Sequence, residues 1–160
     1  MRERDVVSVM QIQAECYVSF IVESEETIRR RLSDFPDTAW VAENQSGICG
    51  YLVTYRSRVG NIAPLGSVFE QIADPDCLYL HDLAISERVK GQGLGGQLAS
   101  LAFGYAIAKG LRYSALVSVQ NSQPFWQRLG YEPWMDLSVE HTQNLKTYER
   151  QALYMVKTLA

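Results

Sequence analysis

The segment Cys77–Gly110, CLYLHDLAISERVKGQGLGGQLASLAFGYAIAKG, constrains this chain more than any other. Leu78 to Ile85 is a mostly apolar run of strand length. Gly91, Gly93, Gly95 and Gly96 then crowd a turn, and Leu94, Leu98, Leu101 and Tyr105 recur beyond it at helical spacing. Strand, glycine-rich turn and helix in this order leave several backbone N–H groups unpaired. They aim at one point, together with the positive end of the helix dipole. Such a point binds anions, and phosphate is the commonest of them. Glycine lets a ligand approach the backbone closely and takes up positive φ without a side-chain clash.

The rest of the chain supplies layers around this unit. Val6, Val9, Met10 and Ala14 predict a first helix over Asp5–Tyr17 with no convincing strand before it, Met1–Arg4 being at most the remnant of one. Ser24 as N-cap, Glu25 and Glu26 in the first turn and Arg29, Arg30 and Arg31 in the last predict a second helix over Glu25–Leu32. The arginine run reads as a solvated, dipole-matched helix end. An apolar loop, Tyr17–Glu23, joins the two. Ala39–Glu43 and Ile48–Tyr55 form a hairpin around Asn44-Gln45-Ser46-Gly47, and Arg56–Asp76 is a long irregular connection of the functional or mobile kind. Leu111–Val119 is a further strand. Ser122 and Pro124 then start a short helix over Phe125–Leu129 that stops at Gly130. Tyr131–Trp134 and Ala152–Leu159 read as closing strands, separated by a polar segment from Glu140 to Arg150. The order of elements predicts a mixed α/β fold in one domain spanning residues 1–160.

Three glycine motifs compete for the turn. Gly91, Gly93 and Gly96 match the dinucleotide fingerprint GxGxxG. That fold turns almost directly from strand to helix, whereas these glycines begin six positions beyond Ile85. The strand ending at Val119 also brings no acidic residue for a ribose. A Walker-type loop fails because Lys90 precedes the glycines and no GK[ST] follows. The third pattern fits. Arg88-Val89-Lys90-Gly91-Gln92-Gly93 resembles the [RQ]xxGx[GA] pyrophosphate loop of the GNAT superfamily of acyl-CoA-dependent N-acyltransferases. YLHDLAI resembles that family's central strand, and Asn121 with PFWQRLGY its following helix and strand. Within the family, these segments are most similar to the arylalkylamine N-acetyltransferases.

The resemblance implies a central mixed, mostly antiparallel sheet whose middle strands, Leu78–Ile85 and Leu111–Val119, splay apart around the pantetheine arm of acetyl-CoA. It implies backbone bonds to that arm from Leu83, Ala84 and Ile85, and a pyrophosphate on the amides of Gly91, Gln92, Gly93, Leu94, Gly95 and Gly96. Arg88 and Lys90 add charge nearby, or are ordinary surface cations. Asn121 bonds the pantetheine, caps the next helix, or does both. The implied reaction is direct attack of an amine on the thioester, which needs a proton acceptor for the ammonium. His81 matches a histidine serving proton relay in the arylalkylamine enzymes, and imidazole titrates at about 6.5; a hydrogen-bonded structural histidine is its alternative. Asp82 points to the opposite strand face unless a bulge intervenes. Where the family usually has a tyrosine as general acid the chain has Trp126, whose indole donates a hydrogen bond but no proton at neutral pH. Unaided departure of the thiolate, or a hydroxyl of Ser118, Ser122 or Tyr131, are the substitutes. Tyr17, Phe20 and Ile21 are candidates for an apolar acceptor wall, and Glu15, Glu23 or Asp82 for meeting an ammonium.

Composition sets the outer bounds. A formal charge of −3 lacks the basic excess of a nucleic-acid binder. No apolar run is of membrane-spanning length, and the first residues carry no signal-peptide pattern. Cys16, Cys49 and Cys77, an odd number without CxxC spacing, read as reduced thiols and a cytoplasmic setting. Cys77 and His81 make no metal site, since His141 is the only other histidine. The expectation is an N-acetyltransferase using acetyl-CoA, without a metal, on a small-molecule amine. The alternatives are protein or peptide acetylation and a non-catalytic acyl-CoA sensor. Monomer or homodimer stays open.

Overall fold

The computed structural model describes residues 1–19 and 21–159. Five α-helices, α1 (Val6–Cys16), α2 (Glu25–Asp34), α3 (Leu94–Ala108), α4 (Gln123–Arg128) and α5 (Val139–Leu145), accompany six strands. These are β1 (Ala39–Asn44), β2 (Gly47–Ser57), β3 (Cys77–Ile85), β4 (Tyr113–Ser118), β5 (Glu132–Pro133) and β6 (Leu153–Thr158), in one sheet of order β1-β2-β3-β4-β6-β5. The β3–β4 pair is parallel, while β1–β2, β4–β6 and β5–β6 are antiparallel. The class is therefore the mixed, mostly antiparallel α/β sheet expected. The β3–β4 ladder holds three pairs and ends at Tyr79↔Ala115, well short of either strand's end. The chain divides into two compact units, Met1–Thr54 with Asp82–Ala102 and Tyr55–His81 with Phe103–Ala160.

In the first unit the core follows from the stripe Val6, Val9 and Ile12 on α1, which packs with Ile28 and Leu32 of α2, Ala39, Tyr51 and Ala84. Burying each such aliphatic side chain contributes about 1.5–3 kcal/mol. The expected β1–β2 hairpin pairs Ala39↔Val53 through Asn44↔Gly47, with a register shift between Ala42 and Glu43. Gly50 is required by close approach: a Cβ there would stand 2.6 Å from Ile85 Cδ1 and 3.2 Å from the Ala84 carbonyl oxygen. Ser24 caps α2 by accepting from the Thr27 N–H at 3.1 Å. The arginine run behaves differently from the expectation. Arg30 is exposed, but Arg31 is 4% exposed and pairs with the buried carboxylate of Glu23. Gln13 ties down the backbone of Glu23 by accepting from its N–H at 2.8 Å and donating to its carbonyl at 3.0 Å. In place of an initial strand, Glu3–Asp5 forms a helical turn.

In the second unit β4 pairs with β6 over six residues, Tyr113↔Thr158 to Ser118↔Leu153. Tyr131 and Tyr154 are buried with Leu116 and Met155. Helix α3 closes at Gly110 (φ +74°), with Leu111 N–H on the Ala106 carbonyl and Gly110 N–H on that of Ile107, the two bonds of a Schellman stop. Gly130 ends α4 in the same way. The polar stretch read as Glu140–Arg150 contains α5, whose start is marked by Ser138 accepting from the His141 N–H at 3.2 Å. This element escaped the sequence reading because α5 buries none of its residues, so no apolar period announces it. It also changes the status of the Arg56–Asp76 connection. Asn144 donates to the Ile62 carbonyl at 2.9 Å, Tyr148 Oη to that of Ala63 at 3.0 Å, and Leu65 N–H to Thr147 Oγ1 at 2.9 Å. The connection is fastened along its first half rather than loose.

Candidate active site

The phosphate-type turn lies within the first unit. Beyond β3, the Ser86 N–H donates to the Cys49 carbonyl at 2.9 Å and its Oγ to Glu15 Oε2 at 2.8 Å. A single helical turn, Glu87–Val89, leads to Gly91 (φ +81°) and Gly93 (φ +78°), conformations open to glycine and costly to other residues. The Gln92 N–H returns to the Val89 carbonyl at 3.4 Å and that of Gln97 to Gly93 at 3.1 Å. The Gln92 N–H thus makes a long bond within the turn, and the first three helical amides, Leu94, Gly95 and Gly96, have no acceptor inside the helix by helix geometry.

Gly96 tests whether this place suits a ligand. Glycine in a helix costs about 1 kcal/mol against alanine. Yet a Cβ at Gly96 would meet nothing within 4 Å, and its φ does not lie in the left-handed region. Gly104, in the same helix, faces equally open space, so the geometry at Gly96 leaves room for a ligand against the first turn of α3 without demanding one, and a pyrophosphate fits the residues present. The cations are partly committed. Arg88 donates to Ser86 Oγ at 3.1 Å and to the Ile48 carbonyl at 3.3 Å, and Lys90 donates to Glu87 at 2.7 Å. The Glu87 carboxylate raises the lysine's pKa and offsets its charge.

Asp82, also in the first unit, is held by two phenols. Tyr17 Oη lies 2.6 Å from Asp82 Oδ1 and 3.0 Å from the Leu83 carbonyl, while Tyr51 Oη donates to Asp82 Oδ2 at 2.6 Å. Burial, then the charge of Asp82, pushes both phenols well above their ordinary pKa and keeps them donors. Tyr51 was not among the expected site residues: nothing near it in sequence marks it as partner of a carboxylate 31 positions on. Cys16 Sγ donates to the Ile85 carbonyl at 3.2 Å, so α1 reaches two carbonyls of the β3 end expected to serve a pantetheine. Of the carboxylates expected for an ammonium, Glu15 is engaged by Ser86 and Glu23 is neutralised by Arg31. Phe20 lies outside the described residues.

The second unit contains His81. Its ring meets the edge of Phe69 at 4.7 Å, and Phe69 stacks on Tyr55 at 3.7 Å, which in turn lies 5.0 Å from Tyr79. Tyr79 and His81 share one strand face by the two-residue period of β3. Asp82 is held by Tyr17 and Tyr51 while His81 keeps the rings, so the two adjacent side chains have separate surroundings. Gln120 (φ +51°) and Asn121 (φ +57°) form an exposed left-handed turn after β4. Ser122 does not cap α4 with its side chain; its Oγ lies 3.0 Å from Ser118 Oγ instead. Trp126 is 7% exposed, edge-on to Tyr131 at 5.5 Å. Tyr131 Oη is 2.6 Å from Ser114 Oγ and burial pushes its pKa far up, which removes it as a proton donor. A cavity of about 380 Å³, lined by Arg58, Asn61, Ile72, Asp136, Ser138 and His141 among others, separates the fastened connection from the start of α5. Among the described residues no cluster of metal-ligating side chains converges, and no helix is long and apolar enough to cross a membrane.

The comparisons with known proteins follow this geometry. No curated protein matches the sequence. The fold is similar to the GphF GNAT-like decarboxylase in complex with isobutyryl-CoA, at 15% identity and a TM-score of 0.75 over 100% of this chain and 97% of that one. It is similar to the loading GNATL domain of CurA from Lyngbya majuscula, at 15% identity and 0.76 over 99% and 95%. It is similar to the NatC complex bound to Gag peptide and CoA, at 15% identity and 0.71 over 99% and 93%. At these identities the likeness concerns the fold alone. The family model described as Acetyltransferase (GNAT) family matches residues 6–131, from the start of α1 past the end of α4, and the chain belongs to that family.

Proposed function

We propose that this chain, acting as one GNAT domain, transfers an acetyl group from acetyl-CoA to a primary amine of a small molecule, in the manner of the arylalkylamine branch. The observation that supports the reading is the turn before α3, where Leu94, Gly95 and Gly96 supply the first-turn amides of the helix and open space faces Gly91, Gly93 and Gly96. Similar folds bind such a donor: the GphF GNAT-like decarboxylase is in complex with isobutyryl-CoA, and the NatC complex is bound to CoA. In this reading those amides, with Arg88 and Lys90, hold the pyrophosphate, while Leu83, Ala84, Ile85 and Asn121 bond the pantetheine. Trp126, 7% exposed, is counted among the donor's contacts in this reading. His81 accepts the proton of the acceptor's ammonium. The amine lone pair then forms the C–N bond as the C–S bond breaks, and the departing thiolate takes up the second proton that the amide nitrogen sheds. A thiol pKa of about 8.5 makes it a fair leaving group, so no side-chain acid is required where Trp126 stands. Tyr17 and Asp82 face the acceptor's cationic end.

The second reading is a module that binds acyl-CoA without turnover, and buried Trp126 in place of a tyrosine acid favours it. Calorimetry with acetyl-CoA followed by thiol release over a panel of arylalkylamines, polyamines and peptide N-termini separates the readings. Release with the small amines is expected. Binding without release across the panel selects the sensor, and release with peptides alone selects a protein acetyltransferase. For His81, replacement by Gln should lower kcat/KM about a hundredfold and change the shape of the pH–rate profile. An unaltered pH–rate profile would take His81 out of the mechanism.

A further inference from the structure

The turn that carries Asn121 is built against local preference. The Ser122 N–H donates to the Val119 carbonyl at 3.0 Å, and both central residues, Gln120 and Asn121, have positive φ. That is the pattern of a type I′ turn, which ordinarily takes Asn-Gly because each residue with a Cβ meets a steric penalty there. Here neither central position is glycine. The only side chain that the structure places on the amide of Gln120 is distant in sequence: Glu149 Oε1 accepts from the Gln120 N–H at 2.5 Å, a charge-assisted bond. Glu149 is itself fixed, since its carbonyl accepts from the Ala152 N–H at 3.0 Å in the turn that enters β6, the strand paired with β4 through Ser118↔Leu153. Carboxylate and turn thus stand on neighbouring strands of one frame.

We propose that Glu149 is a positioning residue for acyl-CoA: it clamps the left-handed Gln120–Asn121 turn so that the exposed Asn121 side chain is presented in one orientation to the pantetheine. The inference rests on the reading of Asn121 as a donor contact. A turn relieved by glycine at 121 would lose that side chain. A turn with two strained residues and no clamp would relax and misdirect it. Sequence spacing alone gives no hint of the pair, which are 29 positions apart.

The test measures CoA affinity by calorimetry and the KM and kcat for acetyl-CoA in the full chain, with thermal unfolding as a check on folding. Glu149→Ala should weaken CoA and raise KM about tenfold, the scale of one strained residue, with kcat at saturation within about twofold. Glu149→Gln keeps an acceptor oxygen and should recover most of the affinity. So should Gln120→Gly placed in the Glu149→Ala background, because glycine takes positive φ without the clamp. Asn121→Ala should weaken binding alike, with little further loss on adding Glu149→Ala. Wild-type affinity in Glu149→Ala, no recovery with Gln120→Gly, or fully additive losses would overturn the clamp alone. A wild type that itself fails to bind CoA would sink the donor reading and the clamp together.

Discussion

Gly96 occupies the first turn of α3 with open space where a Cβ would project and with no left-handed φ to demand glycine. Two physical terms therefore oppose each other at one position. Helix propensity favours alanine by about 1 kcal/mol, while a diphosphate drawn up to the backbone has no room for a methyl group. Gly96→Ala should raise the thermal midpoint by a few degrees and weaken acetyl-CoA at least tenfold, measured by scanning calorimetry and titration calorimetry on one preparation. A more stable variant with unchanged affinity would place the phosphates elsewhere. Gly91 and Gly93 differ in kind, because their φ values of +81° and +78° make any substitution strained before a ligand is considered.

Elements show how much a run of like residues conceals. Arg30 and Arg31 are neighbours on α2, yet the first is solvated and the second is buried against Glu23 while Gln13 fixes the backbone on which that carboxylate stands. Removing one partner of a buried ion pair leaves an uncompensated charge and costs about 3–5 kcal/mol, whereas a surface arginine is worth within about 0.5 kcal/mol. Arg31→Ala should thus lower the urea unfolding free energy by about 3 kcal/mol and Arg30→Ala hardly at all. Equal effects would mean that the pair is solvent-screened. The same logic applies to α5. Asn144 of α5, with Thr147 and Tyr148 just beyond it, holds the Arg56–Asp76 connection by side-chain bonds to its backbone, an arrangement with no hydrophobic period to betray it.

At the scale of the molecule the buried hydroxyls and thiol set an alkaline limit. Burial is the first cause of a raised pKa for Tyr17, Tyr51, Tyr79, Tyr131, Tyr154 and Cys77. Unfolded, the thiol releases its proton near 8.5 and the phenols near 10. Between those values and the raised folded ones the unfolded state binds fewer protons, so stability falls with rising pH by up to about 1.4 kcal/mol per unit for each group. Below about pH 8 their contribution is complete. The urea midpoint should be level from pH 6 to 8 with respect to these groups and drop steeply above pH 9, less steeply in Tyr131→Phe. A level midpoint up to pH 11 would show that these tyrosines titrate as exposed ones do.

What the chain's letters determined unaided is whatever depends on near neighbours. Strand, glycine turn and helix over Cys77–Gly110, the Ser24 cap, the hairpin and the stop at Gly130 all arise from residues within a few positions of one another, whose preferences need no distant partner. The resemblance to the GNAT family rested on those same local motifs, and the match over residues 6–131 agrees with it. Tertiary structure alone decided the rest: that Tyr17 and Tyr51 converge on Asp82, that Arg31 is buried, and that Glu149 reaches Gln120. Each of these places a polar group beside a partner brought in by another segment of the chain. Away from water such a group must find a partner from whatever the fold delivers, and no local pattern specifies which one that is.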